Sequence, residues 1–124
     1  MCVRNAGIPV IIEFVKSTNA AVTVGLKEQA TRLLCYMCFY NNKNQELIGT
    51  PAVAAAIVEN LALDSKRLQY YTEGLIWSLA HNSKKRRAIL VNAGAVAAVG
   101  LLTQSTSEAV AKGAEWAKKA LAKK

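Results

Sequence analysis

Cys35 and Cys38 stand three positions apart in "CYMC", the spacing of a redox dithiol or of half a metal site. Either chemistry needs more than the pair. A redox dithiol belongs in a strand-to-helix turn, and a metal needs a second pair or nearby histidines. The third cysteine, Cys2, and the one histidine, His81, are both far away in the chain. The surrounding hydrophobic pattern is helical, and inside a helix a cysteine serves as a small buried residue. His81 falls near the end of another helical pattern, where a charge or cap role accounts for it. The chain has no Gly-rich phosphate loop, and one histidine with two unsupported cysteines makes no nucleophile-base pair. The expectation is a protein with no catalytic residues, no metal and no cofactor.

What remains is charge and aromatic surface. Lys84, Lys85, Arg86 and Arg87 form the densest basic cluster, read as a solvated turn or as a nuclear-localisation or nucleic-acid patch. The whole chain carries 16 Lys and Arg against 8 Asp and Glu, a net +8 with a pI near 9.6, which favours anionic partners. Hydrophobic residues make up 52% and charged ones 19%, so a folded domain is expected and a disordered one is not. The longest apolar run, Ala52 to Val58, is far short of the roughly 20 residues a membrane span needs. "MCVRNAG" lacks the apolar core of a secretory signal. These features point to a cytoplasmic or nuclear protein without membrane contact.

The elements that would carry this surface are repeated. Gly7 and Pro9 of "GIP" recur as Gly49 and Pro51 of "GTP", 42 residues on, and Thr23, Ser65 and Ser107 keep the same spacing of 42. Each of those three hydroxyl residues is a helix N-cap candidate. The apolar positions after them follow one template: Leu26, Ala30, Leu33, Leu34 and Met37, then Leu68, Thr72, Leu75, Ile76 and Leu79. Steps of four, seven, eight and eleven mark one face of an α-helix. The third copy holds Val110, Ala114, Ala117, Lys118 and Leu121, with one slot charged.

A shorter apolar segment precedes each long helix: Ile8 to Val15, Pro51 to Leu61, Ala95 to Leu102. Pro9 and Pro51 suit a first helical turn. Asn41 to Ile48 and Asn82 to Val91 each read as a polar turn with a short stub. Each unit is thus stub helix, medium helix, long helix. Gly94 comes 45 residues after Gly49, so the third unit opens about three residues late, a difference assigned to loops.

Periods near 40 to 47 residues with two or three helices belong to HEAT and armadillo arrays. "NAGIPVIIEFVKS" followed by "LKEQATRLLCYMCFYNNKNQELI" closely resembles the armadillo repeat: a Gly-x-Pro opening, an apolar second helix, an Ala-containing third helix and an Asn-rich turn. "NAGAVAAVGLL" and "AKGAEWAKKALA" resemble the same pattern. The resemblance implies an all-α fold, a right-handed α-solenoid of stacked units. One domain, 1–124, would hold units of about 1–42, 43–84 and 85–124.

The same resemblance implies a concave groove lined by the third helices and binding a protein or peptide. Groove-facing positions one turn apart are Arg32, Tyr36 and Tyr40, then Gly74, Ser78 and Asn82, then Trp116, Ala120 and Lys124. Of these, Arg32, Tyr36, Tyr40, Ser78, Asn82 and Trp116 are the partner-binding candidates, since Tyr, Trp and Arg dominate interface energetics. Trp77 shares its slot with Cys35 and Lys119 and is assigned to packing between units. The nuclear-import adaptors of the family carry a Trp and Asn ladder, which would fall on Arg32, Gly74 and Trp116 and on Tyr36, Ser78 and Ala120. Only Trp116 matches. With the positive charge, this favours an acidic partner; the alternative function is a basic helical-repeat nucleic-acid binder.

The two ends differ. Lys118, Lys119, Lys123 and Lys124 give the last helix a solubilising basic end. The first unit instead has only "MCVRNA" for a stub helix, with Ile8, Ile11, Ile12 and Val15 close behind, an apolar face to be covered by self-association into a homo-oligomer or by further units of a longer array.

Overall fold

The computed structural model describes residues 3–19 and 21–124, excepting the side chains of residues 3–6; Cys2 lies outside the described residues. Eight helices and no strands are found among them: α1 Val3–Lys16, α2 Val24–Cys38, α3 Asn42–Ile48, α4 Pro51–Asn60, α5 Lys66–Ala80, α6 Lys84–Asn92, α7 Ala95–Leu102 and α8 Glu108–Leu121. The long helices begin where the hydroxyls stand. Thr23, Ser65 and Ser107 accept from the backbone N–H of Leu26, Leu68 and Val110 at 3.2, 3.0 and 3.3 Å, satisfying donors that a helix start leaves free. Asn41 and Ser83 cap α3 and α6 in the same way.

Pro51 opens α4, capped by Thr50. Pro9 does not open a helix but lies inside α1. The position matching Thr50 is Ile8, which has no hydroxyl to stop one helix and cap the next, so stub and second helix run together. Nor do loops absorb the late opening of the third unit. α6 has 9 residues against 7 in α3, while α7 has 8 against 10 in α4. The turn between α6 and α7 is made by Gly94 at φ +92°, a left-handed conformation that glycine adopts without a Cβ penalty.

The third helices lie side by side, α2 along α5 and α5 along α8, while α1 packs against α2 and α4, and α7 against α8. One apolar core runs through all units, with Leu34, Ile48, Ile57, Leu75, Ile76, Leu79, Leu90 and Val99 closed to solvent. In α5 all five template positions are buried, and in α8 the four uncharged ones. In α2 the same positions behave differently, Leu26 being 46% and Leu33 42% exposed. Their counterparts Leu68 and Leu75 are buried because α2 packs along α5; a stacked unit completes its neighbour's core.

Polar side chains tie the units at a matching spacing of 42. The Asn44 and Gln45 amides donate to the Met37 and Cys38 carbonyls at 2.7 and 2.8 Å. Arg86 Nε and Arg87 Nη1 donate to the Leu79 and Ala80 carbonyls at 2.9 and 2.8 Å. These are last-turn carbonyls that α2 and α5 cannot satisfy internally. Lys27 Nζ donates to the Val15 and Ser17 carbonyls, and Gln69 Nε2, 42 residues on, to those of Leu61 and Leu63. Burial lowers the pKa of Lys27 despite the Glu59 charge that acts against it.

Candidate functional site: the groove of the third helices

Three parallel third helices leave a groove of about 670 Å³ along α2, α5 and α8. Of the six partner-binding candidates, Arg32, Tyr36 and Trp116 line it, together with Gly74 from the same groove-facing positions. Tyr36 and Trp116 are 66% and 62% exposed. The Arg32 guanidinium sits 5.1 Å from the centre of the Tyr36 ring, and Lys119 Nζ 5.6 Å from that of Trp116, so both rings carry a cation over their faces.

The other three are elsewhere. Ser78 is buried at 4% exposure, because it and Ala120 are small enough for the helices to close over them where Tyr36 stands clear. Asn82 lies beyond α5, its amide 3.4 Å from Asn42 Oδ1 and its carbonyl oxygen accepting from Arg86. Tyr40 is in the turn after α2 at φ +52°, edge-on to His81 with ring centres 6.4 Å apart. Lys84 to Arg87 are not a turn but the first turn of α6. Lys84 and Lys85 are exposed; Arg86 is buried, reaching Gln45 Oε1, Glu46 Oε2, Asn82 Oδ1 and the Leu79 carbonyl.

The groove also contains residues that the sequence reading passed over. Tyr70 and Lys112 stand one turn before Gly74 and Trp116, and stepping back by four along the same face would have found them. Lys112 pairs with Glu108 at 3.1 Å. Trp77 lines the groove as well as packing on the core, and its ring stacks on His81 at 4.2 Å and 3°. His81 is the C-cap of α5.

Glu73 had no signal in the sequence. It is 1% exposed, neither carboxylate oxygen has a hydrogen-bond partner, and burial pushes its pKa up to about 8. The carboxylate is packed against Gly113 of α8, where a Cβ would collide with Oε1. Its matching position on α2, Thr31, is buried too, while Glu115 on α8 is exposed. The slot is therefore the seam between successive units.

The cysteine pair lies in α2, with Cys35 Sγ 3.2 Å from the Tyr71 carbonyl. Burial pushes both thiols up to about 12, so neither supplies a thiolate near neutral pH. Among the described residues no group of three His, Cys, Asp or Glu is placed to hold a metal, and no helix is long and apolar enough to cross a membrane.

Units of stub, second and third helix, the first two fused as α1 in the first unit, stacked so that the third helices form one wall of a groove, define an armadillo-like α-solenoid. Solved structures share the fold across nearly the whole chain. A designed armadillo repeat protein in complex with the peptide (KR)4 matches 94% of this chain with a TM-score of 0.79 and 18% identity. Two engineered proteins match 97% and 96% of it, with TM-scores of 0.84 and 0.78 and identities of 16% and 20%. The chain spans about half the length of these structures, 47%, 48% and 47% in turn. No protein-family model matches the chain, and no curated protein does.

Proposed function

We infer that the protein is a non-catalytic binding scaffold whose α2–α5–α8 groove takes an extended peptide segment of a partner protein, and that the segment is acidic. The observation that carries this is the make-up of the groove: Tyr36, Tyr70, Trp77 and Trp116 supply large, stiff apolar contacts, and Arg32 and Lys112 stand on α2 and α8. Glu73, raised to about 8, adds little negative charge near neutral pH. A similar fold holding a peptide supports the mode of binding; that the peptide there is (KR)4 belongs to that designed protein, whose groove is not this one.

The test is fluorescence anisotropy with two labelled peptides of equal length, one Glu-rich and one Lys-rich. The Glu-rich peptide binds in low salt, weakens as salt rises, and loses at least tenfold in affinity to Tyr36→Ala/Trp116→Ala. Tighter binding of the Lys-rich peptide would reverse the assigned charge.

The nucleic-acid alternative is the weaker reading, because Arg86 and Arg87 are engaged with protein carbonyls, leaving Lys84 and Lys85 to the solvent. Ile8 and Val15 are buried, and Ile11 and Ile12 partly so, which removes them as a self-association face; what supports self-association of the first unit is instead the exposure of Leu26 and Leu33 on α2. Elution that stays monomeric at high concentration would dismiss it.

A further inference from the structure

The joint between α5 and α8 holds an acid that the proposed groove contacts do not use. Glu73 is closed to solvent, has no partner for either oxygen, and faces a helix position where only glycine leaves it room. A neutral carboxyl tolerates such a site, whereas a carboxylate there would be an uncompensated buried charge. We propose that this joint is a proton-operated hinge: α8 seats on α5 while Glu73 is protonated, and loss of that proton swings α8, and Gly113 with it, away from Glu73 and widens the groove.

The surrounding charges do not relieve Glu73 in place. From α2 the facing groups are Arg32 and Cys35, and from α8 Lys112; Tyr70 and Tyr71 belong to α5 itself. Lys112 is paired with Glu108 and Arg32 lies over Tyr36, and no ion pair to Glu73 is formed among the described residues. α4 and α6 also pack on α5, bringing Glu59 and Lys84 to Arg87, of which Arg86 and Arg87 are bonded to carbonyls of α5. Burial is what raises Glu73.

Among the described residues α8 is a flanking third helix, with a third helix on one side of it. α5 lies between α2 and α8, whereas α8 joins the stack through α5, α6 and α7, after the turn Thr103 to Ser107. Trp116 and Lys112 ride on α8, so its movement changes two contacts of the groove at once.

The sign follows from linkage. Glu73 is raised in the closed joint from 4.5 to about 8 and returns to its ordinary value when exposed. The closed state binds the extra proton, so its advantage is full below about pH 4.5, falls about tenfold per pH unit, and is spent above about pH 8.

Hydrogen exchange on the wild-type chain tests this without any ligand. After correction for intrinsic rates, protection of α8 amides falls about tenfold per unit between roughly pH 5 and 8, while that of α2 stays level. Glu73→Gln keeps the shape without the titration and removes the fall. A flat α8 profile in the wild type, or an unchanged slope in the variant, overturns the hinge. Its effect on binding rests on the peptide-groove reading. With the Glu-rich peptide as probe, pH-dependent α8 exchange without binding sinks that reading and leaves the hinge; binding with pH-independent exchange sinks the hinge alone.

Discussion

Arg86 holds on α6 the place that Asn44 holds on α3, each reaching back seven residues to a carbonyl in the last turn of the preceding third helix, Leu79 for one and Met37 for the other. The guanidinium does more than the amide, because its remaining N–H groups meet Gln45, Glu46 and Asn82 and so bind α6 to α3. Arg86→Ala would strand the Gln45 oxygen and the Leu79 carbonyl in a buried site. The expected loss is about 3 kcal/mol in urea unfolding, in line with breaking a buried charged network. Lys84→Ala and Lys85→Ala, on the exposed side of the same turn, should stay within about 0.5 kcal/mol.

The N-caps predict a graded series. Ser107→Ala removes one cap and should cost about 1 kcal/mol. Ser65→Ala should cost more, because the Ser65 hydroxyl also donates to Glu28 Oε2 at 2.7 Å and so joins α5 to α2. Equal losses in thermal unfolding would show that the Ser65–Glu28 contact contributes nothing.

The repeat was legible because its spacing, its hydroxyl caps and its apolar face are local patterns repeated in the chain. Burial by a neighbouring unit is not local. Leu26 and Leu68 have the same place in the template, yet only Leu68 has a helix stacked over it. The same limit explains the groove. Arg32, Tyr36 and Trp116 were found by helical phase, but Ser78 occupies that phase too and is buried, since side-chain size decides whether adjacent helices close. "KKRR" read as a charge run because a sequence does not show that two of its members would find carbonyls. Glu73 was invisible for a related reason: only the packing of α8 turns an ordinary helical glutamate into a buried one.

Thiol chemistry gives a third prediction. With Cys2→Ser removing the cysteine outside the described residues, alkylation of Cys35 and Cys38 by iodoacetamide at pH 8 should run at least tenfold slower in the native protein than in urea, because both thiols are raised to about 12. Stability should also decline as pH climbs from about 9 toward 12, since the unfolded chain releases these protons first. Equal alkylation rates in the two states would mean that neither thiol is shielded.

Glu73 and Gly113 supply the last test, by reversing a common rule. Replacing a helical glycine by alanine ordinarily stabilises by about 1 kcal/mol. Gly100 of α7 has open space where its Cβ would go, and Gly100→Ala should show that gain. Gly113→Ala should not, because the new methyl meets Glu73 Oε1 and the α5–α8 seam must yield to admit it. In a Glu73→Ala background the obstacle is gone, so Gly113→Ala should recover the gain seen at Gly100. Chemical denaturation of the four combinations measures the coupling directly, and a value near zero would mean that the carboxylate moves aside without cost, so that the seam is looser than its packing implies.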